Sequence, residues 1–166
     1  LMLTRQLGTA LRLGPASWEH RPEMRSKEIE LTGATLGIFG FGGTGKAMAR
    51  RAVGFGMRVI ALDREEMEVS DGADEVVGPK GFESMLTRSD VVSICCPLTS
   101  ETRRKFDSST FSAMKDSALL VNVTRGEVMV EEDLVEALKE GVIAGAALDV
   151  APREPLPADS DLWSLE

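Results

Sequence analysis

Glycines at a fixed spacing are the first residues of this chain that indicate a binding site. Residues 40–45 read G-x-G-x-x-G, between an apolar run at 35–39 and a stretch with helical periodicity. In such a loop the first glycine permits a tight turn, the second lets the backbone approach a pyrophosphate, and the third lets the helix pack close to the strand. The free amides and the positive end of that helix would hold the diphosphate, so the motif predicts a dinucleotide site. The expected cofactor-binding residues of the loop are Gly40, Gly42, Gly43, Thr44 and Gly45.

A carboxylate follows at the distance that a dinucleotide site needs. Asp63 ends the next apolar run, close to the spacing of about 20 residues at which an acid accepts hydrogen bonds from the adenosine ribose. The same charge would repel a 2′-phosphate, so we expect NAD to be preferred over NADP. Arg64 comes directly after Asp63, and a cation at that position would weaken the discrimination.

An arginine and a glutamate in the second half are candidates for action on an organic acid. Arg125 follows an apolar run that ends near Asn122, and doubly wound sheets bind ligands at the carboxyl ends of their strands. A guanidinium there can hold a carboxylate through two parallel hydrogen bonds, which lysine cannot match. Glu154 lies in an acidic, proline-rich segment at 152–161, and taken alone it is typical of a solvated surface residue.

Short apolar runs that alternate with amphipathic stretches must position these groups. The runs at 35–39, 57–62, 91–94, 118–121 and 143–148 lack strict polar alternation, which is typical of strands buried on both faces of a parallel sheet. Helices are predicted at 43–55, 82–87, 110–115 and 131–139, and Ala47, Ala52 and Phe55 form the apolar stripe of the first. The alternation indicates an α/β fold, a doubly wound Rossmann-like parallel sheet with helices on both faces.

The two ends of the chain differ from this pattern. A first helix is predicted ahead of Gly14-Pro15, with residues 15–27 as a linker and 152–161 as an extended surface segment. The apolar positions of that helix are Leu3, Leu7, Ala10 and Leu11.

Composition excludes several classes of protein. The 166 residues fit one domain, and the net charge of −8 argues against a nucleic-acid partner, whose phosphates are bound by Lys and Arg. No apolar run approaches the roughly 20 residues that cross a bilayer, so no membrane partner is expected. Cys95 and Cys96 are adjacent and cannot easily bridge each other, which favours a reducing, cytoplasmic location. The single histidine, His20, excludes a multi-histidine metal site, and no metal is expected.

Three further segments resemble one known family. They are SDVVSICCPLTSET at 89–102, NVTRGE at 122–127 following Met114-Lys115, and GAALDV at 145–150, which continues through REPLP to Leu162-Trp163. With LGIFG at 36–40, they resemble the nucleotide-binding domain of the D-isomer-specific 2-hydroxyacid dehydrogenases over nearly the whole chain, from the helix near Leu3 to Trp163. The resemblance implies hydride transfer between NAD(H) and a D-2-hydroxy acid or 2-oxo acid.

The resemblance also implies roles for single residues. Arg125 would bind the substrate and polarise its carbonyl group, while Glu154 would hydrogen-bond the catalytic histidine and raise its pKa. Asp149 matches a position near the nicotinamide ring and its carboxamide. The residues that match the lining of the cofactor cleft are Cys96, Val123 and Thr124. Thr44 departs from the family, because most members have an aliphatic residue there.

The catalytic histidine of the family comes from a Pro-His motif further along, and the substrate domain from segments on either side. We therefore expect residues 1–27 to be an interdomain helix and linker, and residues 28–166 to be a NAD-binding domain truncated before that histidine. The substrate domain is expected to be absent, and the chain alone inactive. His20 lies in the expected linker and cannot replace the missing group. A first residue Leu1 agrees with a piece of a longer protein.

Other functions fit some of these residues. The same family includes NAD-sensing corepressors, the C-terminal-binding proteins, which keep the counterparts of Arg125 and Glu154. A short-chain reductase is disfavoured because the chain has no tyrosine. A reactive thiol at Cys95 or Cys96 is disfavoured because cysteines in buried strands behave as small apolar residues.

Oligomeric state and substrate are the remaining expectations. Family members are usually dimers, which implies a homodimer, and the stripe of Leu3, Leu7 and Leu11 would either form its interface or pack within the monomer. The expected substrate is a small 2-oxo or 2-hydroxy acid. Glyoxylate, hydroxypyruvate, phosphoglycerate and larger 2-oxo acids all remain open.

Overall fold

Strands and helices alternate along most of the chain. The computed structural model describes residues 4–65 and 67–165. Its strands are β1 (Thr35–Phe39), β2 (Arg58–Leu62), β3 (Glu75–Val77), β4 (Val91–Ile94), β5 (Leu119–Asn122) and β6 (Gly145–Leu148). Its α-helices are α1 (Leu7–Leu13), α2 (Arg21–Ser26), α3 (Gly43–Gly54), α4 (Phe82–Arg88), α5 (Ser108–Ala113) and α6 (Glu131–Lys139). Within the described residues, no helix has the length and hydropathy needed to cross a membrane.

The six strands form one sheet in which every pair is parallel. Their order is β3-β2-β1-β4-β5-β6. The chain therefore winds outward from β1 in one direction and then, from β4, in the other. A crevice forms at the carboxyl ends of β1 and β4, where the order reverses, and open sheets of this kind bind ligands there. The predicted α/β doubly wound Rossmann-like fold is confirmed.

Side chains of successive strand residues enter two separate cores. On one face, α4, α5 and α6 pack against residues such as Phe39, Ile94 and Leu120. On the other face, α3 packs against Ile38 and Ala61. β1, β2, β4 and β5 are buried almost throughout, as the lack of strict polar alternation predicted, whereas β6 at the sheet edge is only partly buried.

An acidic side chain aligns three strands at the amino edge of the sheet. Asp90 accepts a hydrogen bond from the Thr35 amide at 2.8 Å and from the Lys115 ammonium at 2.7 Å. The Asp90 carbonyl also accepts from the Leu119 amide at 3.0 Å. Burial works against ionisation, but the Lys115 and Thr35 contacts outweigh it, and the pKa of Asp90 is lowered. The starts of β1, β4 and β5 are thereby held in register.

Several boundaries and two assignments differ from the prediction. The short strand β3 was not predicted, and the predicted helix at 110–115 begins earlier because Asp107 accepts from the Thr110 amide and caps α5. The predicted linker at 15–27 instead contains a 3₁₀ helix at Gly14–Trp18 and α2, whose second residue is Pro22. Proline is tolerated in a first helical turn, where its missing N–H has no intrahelical role.

The apolar stripe of α3 and the segment at 152–161 also differ from the prediction. Phe55 follows the helix and is 60% exposed, so Gly45, Ala49 and Ala52 form the buried side instead. Leu3 lies outside the described residues. The segment 152–161 lies on the surface as bends and turns, and Lys139 pairs with Asp161 at 2.7 Å to hold it against α6.

Candidate active site

The glycine motif forms the turn between β1 and α3 at the carboxyl edge of the sheet. Gly40 has a φ of +102°, a conformation that favours glycine, and a Cβ there would lie 2.6 Å from the Cα of Cys96. The Cys95 amide donates to the Phe39 carbonyl at 2.8 Å and so joins the ends of β4 and β1. Position 40 therefore requires glycine, since any side chain would separate these two strand ends.

The next glycines leave the start of α3 open. Cβ atoms at Gly42 and Gly43 would meet nothing within 4 Å, whereas one at Gly45 would overlap the Gly40 carbonyl oxygen. The Lys46 amide donates to the Gly42 carbonyl, so the amides before it have no acceptor within the helix. The first turn of α3, which the structure describes throughout, carries no acidic residue and no capping side chain. This open, positively polarised helix start fits a diphosphate.

Asp63 lies beside this turn at the end of β2. One carboxylate oxygen accepts from the Phe41 amide at 3.1 Å, and the other from the Arg64 amide at 2.7 Å. The side chain is half-buried. A carboxylate can accept about four hydrogen bonds, so capacity remains for ribose hydroxyls. Asp63 thus supports the glycine loop as well as offering acceptors to a ligand.

The loops after β5 and β6 meet at the same edge of the sheet. Arg125 and Glu154 line one cleft of about 310 Å³ between these loops. A Cβ on Gly126 would overlap the backbone of Ala151, so glycine allows the two loops to touch. Glu154 Oε1 accepts from the Ala151 amide at 3.0 Å, and Arg125 Nη1 donates to the Thr124 carbonyl at 2.8 Å. The structure therefore brings a cation and a carboxylate together, although 28 positions lie between them in the sequence.

The geometry so far is that of a dinucleotide crevice with a charged cleft beside it. The whole chain, residues 1–166, matches the family described as D-isomer specific 2-hydroxyacid dehydrogenase, NAD binding domain. The chain belongs to this family. Its predicted identity as the NAD-binding domain is confirmed.

Two relatives of this domain are enzymes that contain similar domains. It is 46% identical over 140 residues to the glyoxylate reductase of Korarchaeum cryptofilum, a match that covers 82% of this chain and 41% of that protein. The NAD-dependent formate dehydrogenase of Staphylococcus aureus, solved with NAD, superposes with a TM-score of 0.86 and 31% identity over 99% of this chain and 49% of that one.

A third relative binds the other nicotinamide cofactor. The NADPH-dependent glyoxylate/hydroxypyruvate reductase of Sinorhizobium meliloti, solved with NADP, has a TM-score of 0.78 and 28% identity over 98% of this chain and 55% of that one. The chain thus spans only 41% to 55% of the length of these relatives. None of the three supports the corepressor alternative.

The other predicted cofactor residues of the dehydrogenase domain occupy two neighbouring places. Cys96 is buried against the Gly40 turn, while Thr124 is half-buried and Val123 is 37% exposed in the loop after β5. Asp149 is exposed, and it lines a separate cleft of about 960 Å³ along the β6 edge, which Glu154 also borders. Glu154 therefore connects the two clefts.

The adjacent thiols are poor nucleophiles in this setting. Burial raises the pKa of Cys96 to about 11, and burial likewise raises the pKa of Cys95. Both side chains are therefore protonated at neutral pH. Their surroundings favour a packing role.

The single histidine of the domain lies far from these clefts in the fold. His20 occupies the N-cap position of α2 without a side-chain capping hydrogen bond and is exposed, with Nδ1 3.8 Å from a Glu23 carboxylate oxygen. It borders a cavity together with Ala34 and Leu119, at the amino edge of the sheet. In the described part of the chain, no three His, Cys, Asp or Glu side chains are grouped to hold a metal ion.

One residue of this site was not singled out from the sequence. Asn122 ends β5 with its side chain fully buried, and it hydrogen-bonds within the loop that carries Arg125. The sequence did contain a signal for Asn122, which is a polar amide at the end of an apolar strand. Burying an unpaired polar group costs folding free energy, so a buried amide there implies hydrogen-bond partners.

Proposed function

We propose that the protein carrying this domain transfers a hydride between a nicotinamide cofactor and C2 of a small 2-oxo or 2-hydroxy acid. The observation that carries this proposal is the shared position of two elements at one sheet edge. The Arg125–Glu154 cleft opens at the carboxyl ends of β5 and β6, and the glycine loop and Asp63 lie at the carboxyl ends of β1 and β2. When bound, NAD(H) supplies the hydride.

Arg125 is proposed to bind the substrate carboxylate and to polarise its carbonyl group. The guanidinium is exposed, and one of its donors is engaged with the Thr124 carbonyl. The other N–H groups can form the paired hydrogen bonds that a planar carboxylate accepts. This contact would place the reacting carbon at the edge of the cofactor crevice.

Glu154 is proposed to orient a catalytic histidine from another part of the protein. Its Oε1 accepts from the Ala151 amide, which directs the carboxylate into the cleft beside Arg125. A carboxylate in contact with an imidazole selects its tautomer and raises its pKa, so the histidine can donate a proton to the substrate oxygen. His20 is at the other edge of the sheet and does not fill this role.

NAD is proposed as the preferred cofactor. The Asp63 carboxylate lies at the end of β2 beside the glycine loop, where it offers acceptors to ribose hydroxyls and repels an added phosphate. Arg64 follows it and donates its amide, not its side chain, to that carboxylate.

Glyoxylate is proposed as the first substrate to test, because the relative from Korarchaeum cryptofilum is a glyoxylate reductase. The test is a steady-state assay of the full-length protein that carries this domain, with a panel of 2-oxo acids and with NADH or NADPH. We expect glyoxylate reduction with NADH, and a rise in the KM for glyoxylate of about 100-fold or more in Arg125→Ala.

A matched arginine provides the control for this assay. Arg51 on α3 is exposed and, like Arg125, donates to a backbone carbonyl, that of Ala47 at 2.7 Å. We expect Arg51→Ala to keep the parental KM. The 166-residue chain alone should bind NADH without turnover. NADH-dependent capture of a peptide by a full-length protein that turns over no 2-oxo acid would instead favour the corepressor alternative.

A homodimer is proposed on the basis of apolar side chains near the amino terminus. Leu11 and Trp18 are 69% and 73% exposed, and Leu7 is 39% exposed. No residue of α1 is fully buried within the described chain, so Leu7 and Leu11 leave apolar surface available to a second copy. Light scattering should report a dimer, and Leu11→Glu should shift it toward monomer.

A cytoplasmic location is proposed from the two thiols. Cys95 and Cys96 are free and buried, which suits a reducing compartment. Cell fractionation with an antibody to the protein would test it.

A further inference from the structure

A buried amide lies beneath the turn that presents Arg125. Asn122 is the last residue of β5, and 0% of its surface is exposed. Its Nδ2 donates to the Arg125 carbonyl at 2.9 Å, and its Oδ1 accepts from the Thr124 amide at 3.1 Å. Both bonds fall within residues 122–125, so this one side chain closes the turn from the inside.

The same turn is tied to the neighbouring loop on its outer side. The Asn122 carbonyl accepts from the Asp149 amide at 3.0 Å, which joins the ends of β5 and β6. Gly126 brings the backbone after Arg125 into contact with the backbone of Ala151. The main chain of Arg125 is therefore held between the amide of Asn122 and the loop that contains Glu154.

The two bonds require a group with one donor and one acceptor at a fixed separation. An asparagine amide has both, and exchanging its N and O would bring like atoms together at both contacts. Leucine has a similar size but would leave the Thr124 amide and the Arg125 carbonyl without their side-chain partner. An ionised aspartate would turn a negative oxygen toward the Arg125 carbonyl, whereas a protonated one would reproduce both bonds.

We propose that Asn122 is a positioning residue, which directs the Arg125 guanidinium toward the substrate carboxylate by holding the turn at 122–125. It is buried and acts through Arg125 without touching the substrate. This inference rests on the proposed function, since it assumes that Arg125 binds the 2-oxo acid.

The test uses the full-length protein, with the KM for glyoxylate and the Kd for NADH as separate readouts. We expect Asn122→Leu to raise the KM for glyoxylate about tenfold while the NADH Kd changes less than about twofold. In an Arg125→Ala background, Asn122→Leu should raise the KM almost no further, because the guanidinium that Asn122 is proposed to position is already absent.

Two more variants separate positioning from general destabilisation. Thr110→Val removes another buried hydrogen bond, to the Lys105 carbonyl at 2.9 Å, and should lower Tm without changing the KM for glyoxylate. Asn122→Asp keeps the shape, so it serves even if the leucine variant does not fold. Compared with the parent at the same pH, its KM should be nearly equal at low pH and higher where the buried carboxyl ionises, which adds a pH dependence to the parental profile.

The outcomes separate a failure of the role proposed for Asn122 from a failure of the proposed hydride-transfer function. An Arg125→Ala variant with the parental KM for glyoxylate would overturn the proposed function itself. If Arg125→Ala raises the KM but Asn122→Leu raises it equally in both backgrounds, Asn122 does not act through Arg125. A similar KM increase in Thr110→Val, or an Asn122→Asp variant whose KM follows the parental pH profile, would also overturn the inference.

Discussion

Replacing Asp63 with asparagine would test the proposal that its negative charge makes this site prefer NADH to NADPH. In the structure one Asp63 oxygen accepts from the Phe41 amide at 3.1 Å, and the other from the Arg64 amide at 2.7 Å. Asparagine retains a carbonyl oxygen for the Phe41 amide, so the glycine loop keeps its anchor, while the negative charge and the acceptor for the Arg64 amide are removed. The variant therefore changes the electrostatics of the ribose site more than its shape.

The size of the effect follows from Coulomb repulsion and from hydrogen bonding. Unit charges about 5 Å apart repel by about 0.8 kcal/mol at the dielectric constant of water, which is the lower limit for the half-buried Asp63. Loss of that repulsion should strengthen NADPH binding about fourfold. In the variant, the ribose hydroxyls of NADH donate to a neutral oxygen instead of a charged carboxylate, which costs about 1 kcal/mol of binding free energy. NADH should therefore bind about fivefold more weakly. The ratio of the two Kd values should thus shift about 20-fold toward NADPH.

Titration of nicotinamide fluorescence measures both Kd values on the isolated domain. Glu68→Gln removes one negative charge from an exposed position and should leave the ratio unchanged. Asp63→Ala also removes the Phe41 anchor, so NADH should bind more weakly still, and the gap to NADPH should narrow. Added salt should reduce the shift in the asparagine variant. Equal affinity of the parent for both cofactors, or an unchanged ratio in Asp63→Asn, would refute this reasoning.

Three other contacts have measurable consequences. Gly45→Ala places a methyl group on the Gly40 carbonyl oxygen, so NADH binding, followed by fluorescence, should weaken at least about tenfold. Burial raises the pKa of Cys96 to about 11, so at pH 8 iodoacetamide should alkylate it far more slowly in the native domain than in urea, as mass spectrometry would show. The pKa of Asp90 is lowered despite its burial, chiefly by Lys115. The ionised Asp90 therefore contributes fully to the free energy of unfolding above the carboxyl pKa of the unfolded chain, about 3.9. This contribution is lost as the pH falls through the lower pKa of Asp90 in the folded state. Urea denaturation should show Asp90→Asn about 1 kcal/mol less stable than the parent at pH 7 and equal to it in acid.

A control variant is available for the Gly45 experiment, and each of the three experiments has a result that would contradict its reasoning. Gly54→Ala lies in the same helix as Gly45, and its Cβ would meet nothing within 4 Å, so it should retain NADH binding. Unweakened NADH binding by Gly45→Ala would contradict the close-packing argument. Alkylation of Cys96 at equal rates in the native and unfolded chains would contradict its burial. A stability difference at Asp90 that persists below the folded pKa would rule out the ionic contact as its source.

Most elements of the fold were predictable because their signals are local. A run such as 91–94, which is mostly apolar and lacks strict polar alternation, is consistent with a strand buried on both faces, and the observed β4 has those bounds. The helix predicted at 131–139 has its observed ends in α6, whose first turn carries three acidic residues and whose last turn carries Lys139, as the helix dipole favours. By contrast β3 has three residues, too few for a periodic pattern, and it exists because it pairs with β2.

Tertiary context decided the places where the prediction was wrong. Phe55 has helical spacing with Ala52, but the helix ends before it and its ring is left exposed. The 15–27 segment has linker composition, yet Pro22 stands where a helix tolerates it. Neither outcome can be derived from periodicity, since both depend on where a helix meets the rest of the fold.

The sequence by itself determined the chemistry of the site, and the tertiary structure decided how its parts meet. The spacing of the glycines and of Asp63 specified a dinucleotide loop, because each residue type there answers a local steric or electrostatic need. The cleft shared by Arg125 and Glu154 exists only because β5 and β6 pair in parallel and end at the same edge. The role inferred for Asn122 likewise could not be predicted from the sequence, since it depends on which groups the buried amide hydrogen-bonds in the folded structure.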